Sequence, residues 1–86
     1  MMIADLVMPE LDLPGIEARI SAWHAAVGEK VVRGERLVEI VAGDVAVDLP
    51  APASGVLISR SAGVEDAVVA GQVLARIQAD CTELPG

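Results

Sequence analysis

The feature that most constrains this chain is that it repeats itself once. The stretch VGEKVVRGERLVEI at 27–40 lies over VEDAVVAGQVLARI at 64–77 with a constant offset of 37. It matches at Val27/Val64, Val31/Val68, Val32/Val69, Gly34/Gly71, Leu37/Leu74 and Ile40/Ile77. Two copies are too few to close a solenoid. Two hairpin units can, however, pack face to face about an approximate two-fold axis and bury their Val and Leu faces in one core. The repeat therefore predicts a flattened all-β barrel or sandwich. It also predicts equivalent turns at Gly34 and Gly71, where a positive φ is the physical reason to use glycine.

Punctuation agrees with the repeat. Gly or Pro stands at 14, 15, 28, 34, 43, 50, 52, 55, 63 and 71, too densely for helices and at a spacing that suits short strands. Strands are expected at 3–8, 16–23, 30–33, 36–42, 45–49, 55–60, 67–69 and 72–78. Alternation is clearest in Val45-Ala46-Val47-Asp48-Leu49, which turns three apolar side chains to one face. The chain is 53% apolar with a single aromatic residue, Trp23, so its core has to be built from Val, Ile, Leu and Ala. Eighty-six residues make one small domain, expected over 1–80 with a short tail at 81–86.

Charge narrows the partners. A net charge of -7 excludes a phosphate-tracking nucleic-acid binder and adsorption to an anionic membrane, and points to protein partners with basic patches. The stretch MMIADLVMPELDLPG has no basic leader region, and no apolar run approaches the length of a membrane span. Cys81 is the only cysteine, so no disulfide forms within the chain, and a reducing cytoplasm is the expected compartment. His24 is the only histidine, which leaves no metal cluster and no nucleophile–base pair to assemble.

At this point a family resemblance enters. Residues 8–77, from MPELDLPG to the second V..GQ.LA.I segment, resemble a lipoyl/biotinyl carrier domain. ISAWHAAVGEKVVRGERLVEI is similar to the family pattern I-x-x-W-x-x-x-x-G-D-x-V-x-x-G-x-x-L, and VDLPAPASG to its V-E-I-P-S-P-x-x-G exit. The nearest branch is the lipoyl domain of the acyltransferase component of 2-oxo acid dehydrogenase complexes. The resemblance implies a barrel-sandwich hybrid of two four-stranded antiparallel sheets with quasi-two-fold symmetry. It further implies a modifiable lysine on an exposed hairpin turn, and recognition of the domain surface by the decarboxylase component.

The chain departs from that pattern where the chemistry lies. Counting forward from Gly28 or back from Pro50, the family's lysine position falls on Asp44. Lipoyl and biotinyl groups are joined to an ε-amine through an amide, and a carboxylate cannot supply that nitrogen. The flanking Gly43 and Val45 match neither the Asp-Lys-Ala of the lipoyl type nor the Met-Lys-Met of the biotinyl type, and the only lysine is Lys30, outside this turn. Neither lipoate nor biotin is expected as a cofactor. A second departure is Glu65, which stands where Gly28 stands in the first half. Gly63 is expected to provide that turn after a small register change in 61–66.

The remaining expectations concern binding. Asp44 with Glu35, Glu39 and Asp48 forms an acidic rim near the hairpin in this reading, and Glu35, Glu39 and Asp48 are the candidate partner-binding residues. Trp23 is expected to pack on the core and His24 to be exposed. The two-fold relates the Asp44 turn to the neighbourhood of Cys81, so the chain ends should emerge at the opposite pole. A non-enzymatic module that binds, regulates or assembles components of a 2-oxo acid dehydrogenase complex follows. The alternatives are a structural adaptor, like the lysine-free modules of export-pump adaptors, and an active acyl carrier with an unrecognised attachment site.

Overall fold

The computed structural model describes residues 2–80, and within them the chain forms eight strands. They are β1 (Met2–Val7), β2 (Ala18–Trp23), β3 (Lys30–Val31), β4 (Arg36–Ala42), β5 (Val45–Pro50), β6 (Gly55–Arg60), β7 (Ala67–Val68) and β8 (Val73–Ala79). Every expected strand is present, with boundaries that differ by at most two residues. The strands make two four-stranded antiparallel sheets, β1-β8-β6-β3 and β5-β4-β2-β7. The tail at 81–86 lies outside the described residues.

The two-fold is written into the hydrogen bonds. Gly28 N donates to Leu57 O at 2.8 Å, and Glu65 N donates to Ile20 O at 2.8 Å, each participant shifted by 37. In the same way His24 N to Leu37 O is repeated by Ser61 N to Leu74 O. Each half also closes a loop with a side chain: Ala26 N donates to Glu29 Oε1, and Gly63 N to Asp66 Oδ2. The outer strands obey the symmetry with an offset of 43, Met8 N to Gln72 O matching Ala51 N to Glu35 O. The change from 37 to 43 has a simple origin. Met8 to Ile20 spans 12 residues and Ala51 to Leu57 spans 6, so the connection from β1 to β2 is six residues longer than its counterpart.

The core consists of two-fold pairs. Ile20/Leu57, Leu37/Leu74 and Ile40/Ile77 are all fully buried, joined by Val38. Burying each such side chain stabilises the fold by about 1.5–3 kcal/mol. Trp23 packs against this core from a partly buried position. In β5 the inward face fades toward the turn, from buried Leu49 through half-buried Val47 to exposed Val45, because the hairpin runs past the edge of the core.

One expectation is corrected here. Gly63 does not take over the turn, and 61–66 undergoes no register change. Glu65 itself adopts φ 75, beside φ 95 at Gly28. Its N–H must reach Ile20 O along the same backbone path as its two-fold mate, so the conformation is kept although a side chain resists it.

Candidate functional site

Ala42 pairs with Val45, leaving Gly43 and Asp44 as a two-residue loop between β4 and β5. Gly43 has φ 60, and Asp44 has no positive φ. Positive φ at the first central residue alone is the pattern of a type II′ turn, whose twist matches that of the flanking strands. Asp44 therefore points from the turn into solvent, and its carboxylate makes no hydrogen bond or ion pair among the described residues. The turn is propped from the side: an atom placed at Cβ on Gly43 would lie 3.5 Å from Ile16 Cγ2.

Ile16 belongs to the lengthened connection, and that connection builds a groove beside the turn. The groove, about 250 Å³, is floored by Met8, Leu11, Leu13, Ile16, Ala42 and Val68 and edged by Glu10, Asp12 and Glu17. Sequence reasoning missed it. The signal available was a connection with three large apolar residues, Leu11 and Leu13 between Pro9 and Pro14 and Ile16 just after Gly15, which is too apolar for a purely solvated loop.

Among the described residues the turn lies at the expected pole. Met2 pairs with Ala79 at one end of the β1/β8 ladder, and Val7 with Val73 at the other. Ala42 shares the groove with Met8, which places the Gly43-Asp44 turn at the Val7 end of that ladder, away from Met2 and Ala79. Cys81, named as the symmetry mate of that turn, lies outside the described residues.

The acidic rim is divided. Glu35, Glu39 and Asp48 gather with His24, Glu29 and Arg36 around an open hollow of about 390 Å³ on the outer side of the β5-β4-β2-β7 sheet. Asp44 is not part of it, standing four residues up the extended strand from Asp48, about 13 Å at the usual rise. Asp48 is partnered on both oxygens, Oδ1 lying 3.2 Å from His24 Nε2 and Oδ2 3.5 Å from Arg36 Nη1. Such exposed pairs contribute about 0–1 kcal/mol each. Glu35 accepts from Val32 N at 3.4 Å and Glu29 from Ala26 N at 3.0 Å, while Glu39 holds no such partner among the described residues. The described residues bring no three His, Cys, Asp or Glu side chains into an arrangement that could hold a metal ion.

Two four-stranded sheets related by a two-fold, with a two-residue hairpin turn at the pole away from Met2 and Ala79, define a barrel-sandwich carrier domain, a non-catalytic module. The chain belongs to the biotin/lipoyl family, whose model, described as "Biotin-requiring enzyme", matches residues 6–77. Members of this family carry lipoate or biotin covalently. Among its relatives is the dihydrolipoyllysine-residue succinyltransferase component of the 2-oxoglutarate dehydrogenase complex of Cupriavidus necator, 35% identical over 82 residues, 95% of this chain and 20% of that protein. Another is the acetyltransferase component of the pyruvate dehydrogenase complex of Corynebacterium glutamicum, 37% identical over 73 residues, 85% of this chain and 11% of that protein. The solution structure of the lipoyl domain of the 2-oxoglutarate dehydrogenase complex from Azotobacter vinelandii superposes with a TM-score of 0.72 at 27% identity, over 86% of this chain and 94% of that one. The chain is thus a lipoyl-type domain related to these acyltransferase components, and it spans a fifth or less of their length.

Proposed function

We propose that this lipoyl-type domain works by binding rather than by carrying: it docks on components of a 2-oxo acid dehydrogenase complex as a decoy, regulatory or assembly module and is neither lipoylated nor biotinylated. The observation that carries the reading is the Gly43-Asp44 turn. It has the form and exposure a carrier turn needs, and its side chain is a carboxylate without a partner among the described residues. An acyl group activated for transfer requires an amine to form a stable amide, so the residues of this turn do not fit lipoate or biotin. Lys30, the only lysine, is an unsuitable substitute because it lies on the short strand β3 opposite Val56, in the other sheet from the turn.

Docking needs a surface, and the pole supplies one that does not depend on a lysine. The groove offers apolar seats edged by Glu10, Asp12 and Glu17, with Asp44 on the turn beside it, which suits a partner carrying aliphatic and basic side chains. Glu35, Glu39 and Asp48 extend the acidic character along the β5-β4-β2-β7 sheet and would steer the same partner toward the turn. We place the domain in the cytoplasm, a reading supported by its single cysteine and by its relatives.

The test is competition. Added to a purified decarboxylase component and its lipoylated domain, the chain should raise the apparent KM for the lipoylated domain and leave kcat unchanged. An unchanged KM at a large excess of the chain would end the docking reading.

A further inference from the structure

Each sheet has one long free edge, and the two edges are mates in the two-fold. β1 closes the β1-β8-β6-β3 sheet and β5 the other, with Met2–Val7 matching Val45–Pro50 at the offset of 43. The hydrogen bonds fix which backbone groups of each strand face outward. Ala42 and Val45 close the two-residue hairpin, and Ala51 both donates to Glu35 O and accepts from Gly34 N. Bonding alternates along an antiparallel strand, so Val45, Val47 and Leu49 face β4 while Ala46, Asp48 and Pro50 face away. Met8 likewise donates to Gln72 O and accepts from Gly71 N, so Ile3, Asp5 and Val7 turn their N–H and C=O groups away from β8. Among the described residues those groups meet no other strand.

The two edges are guarded differently. On β5 one outward-facing position is Pro50, which has no N–H, and Asp48 stands directly opposite Glu39, a like-charge pair. On β1 the place of Pro50 is taken by Val7, and Asp5 stands opposite Arg76, with Nε 3.3 Å from Oδ1. The irregularity in the β1/β8 ladder falls on β8, where Leu74 is the extra residue, so β1 itself stays regular. Met2, Ile3 and Val7 remain 57%, 46% and 45% exposed. A regular aliphatic edge with neither proline nor uncompensated charge is a template for one more strand.

We infer that the free edge of β1 pairs with the β1 edge of a second copy of this chain, antiparallel, about a two-fold axis normal to the sheet. Two four-stranded sheets then join side by side into one of eight strands. The occupant is argued from register, because only Ile3, Asp5 and Val7 have free groups to offer. Centred on Ala4, Ile3 exchanges bonds with the second copy's Asp5, and Asp5 with its Ile3, about four bonds in all. The same register sets exposed Met2 opposite the second copy's Leu6 and small Ala4 opposite Ala4. Centring on Asp5 would oppose two carboxylates, and centring on Leu6 would carry Ile3 past the strand to Pro9, which has no N–H.

Asp5 and Arg76 cancel at the contact, so copies that each carry a net charge of -7 meet where neither presents an unpaired charge. The contact is short, well under the ~800 Å² per partner of a standard interface, and its Kd is about millimolar. Antiparallel pairing points the two Asp44 turns in opposite directions and covers neither, so the dimer offers two turns at once. The inference stands whatever those turns bind.

The experiment is a concentration series of the 86-residue chain from about 20 μM to about 2 mM, followed by sedimentation equilibrium and by amide NMR. The weight-average mass should rise from monomer toward dimer. The amide shifts that move with concentration should cluster at Met2–Leu6, and exchange of the Ile3 and Asp5 amides with deuterium should slow as the dimer fills. Ile3→Pro removes an outward-facing N–H without touching the β8 ladder and should raise the dimer Kd at least tenfold, whereas Ala46→Pro, its mate on β5, leaves it in place. Far-UV circular dichroism checks that each variant folds, and the shift and exchange maps of the wild-type chain need no variant. A mass that stays monomeric at about 2 mM, concentration-dependent shifts centred away from β1, or folded Ile3→Pro and Ala46→Pro chains that dimerise equally would overturn the inference.

Discussion

Trp23 and Arg60 are images of one another in the two-fold, 37 residues apart, and each holds the other half of the molecule. The Arg60 guanidinium carbon lies 5.4 Å from the centroid of the Trp23 ring. Trp23 Nε1 donates to Ala62 O at 3.0 Å, and Arg60 Nη1 donates to Ala25 O at 3.4 Å, again a pair related by 37. The axis thus passes through a reciprocal clasp in which one repeat contributes an indole and the other a guanidinium.

The clasp should be measurable as coupling. Arg60→Ala removes the cation over the ring and one bond to a carbonyl, costing about 1–2 kcal/mol. Trp23→Phe keeps a ring and loses the indole donor, costing about 1 kcal/mol. In a double-mutant cycle by urea denaturation the pair should couple by about 0.5–1 kcal/mol. Strict additivity would mean the stacking contributes nothing.

Glu65→Gly is expected to stabilise. A side chain at φ 75 is strained by about 1–2 kcal/mol, and glycine relieves this at a smaller cost in unfolded-chain entropy, for a net gain of about 0.5 kcal/mol. Gly28→Ala, at φ 95, imposes the same strain on the other half and should destabilise by about 1 kcal/mol or more. Opposite signs for these two substitutions in thermal unfolding are the signature of one shared backbone conformation.

Gly55→Ala should be the most damaging single-methyl change. Its Cβ would lie 2.0 Å from Gln78 O, a backbone atom of β8 that cannot withdraw without opening the β6/β8 ladder. A loss of about 3 kcal/mol or more is expected. A normal melting temperature for this variant would contradict the close approach of β6 to β8.

The strands were legible because two local signals coincide: Gly and Pro mark their ends, and the 37-residue offset repeats their apolar faces. Other features were hidden for identifiable reasons. Glu65 carries no residue-type sign of a left-handed conformation, which is imposed by its bond to Ile20 O. Asp44 and Asp48 look like neighbours in sequence, but four residues of extended strand separate them, and Asp48 is drawn to His24 and Arg36. The groove arises from the six extra residues between β1 and β2, and its shape follows from where Ile16 packs on Gly43. The turn itself was legible, since a Gly-Asp pair between two alternating runs specifies a hairpin with few alternatives.

The central claim is that the turn presents position 44 as a carrier turn does and that its residues, Asp44 first and then the flanking Gly43 and Val45, are what prevent attachment. Asp44→Lys should change stability by no more than about 0.5 kcal/mol, because the residue is exposed and unpartnered among the described residues. The decisive measurement is the intact mass, with peptide mapping, of wild type and Asp44→Lys after incubation with a lipoate ligase, lipoate and ATP. The account predicts one lipoyl group at position 44 of the variant, at most after Gly43→Asp and Val45→Ala are added to restore the flanks, and none on wild type. A lipoyl group on wild type, or a folded triple variant that stays unmodified, would contradict it.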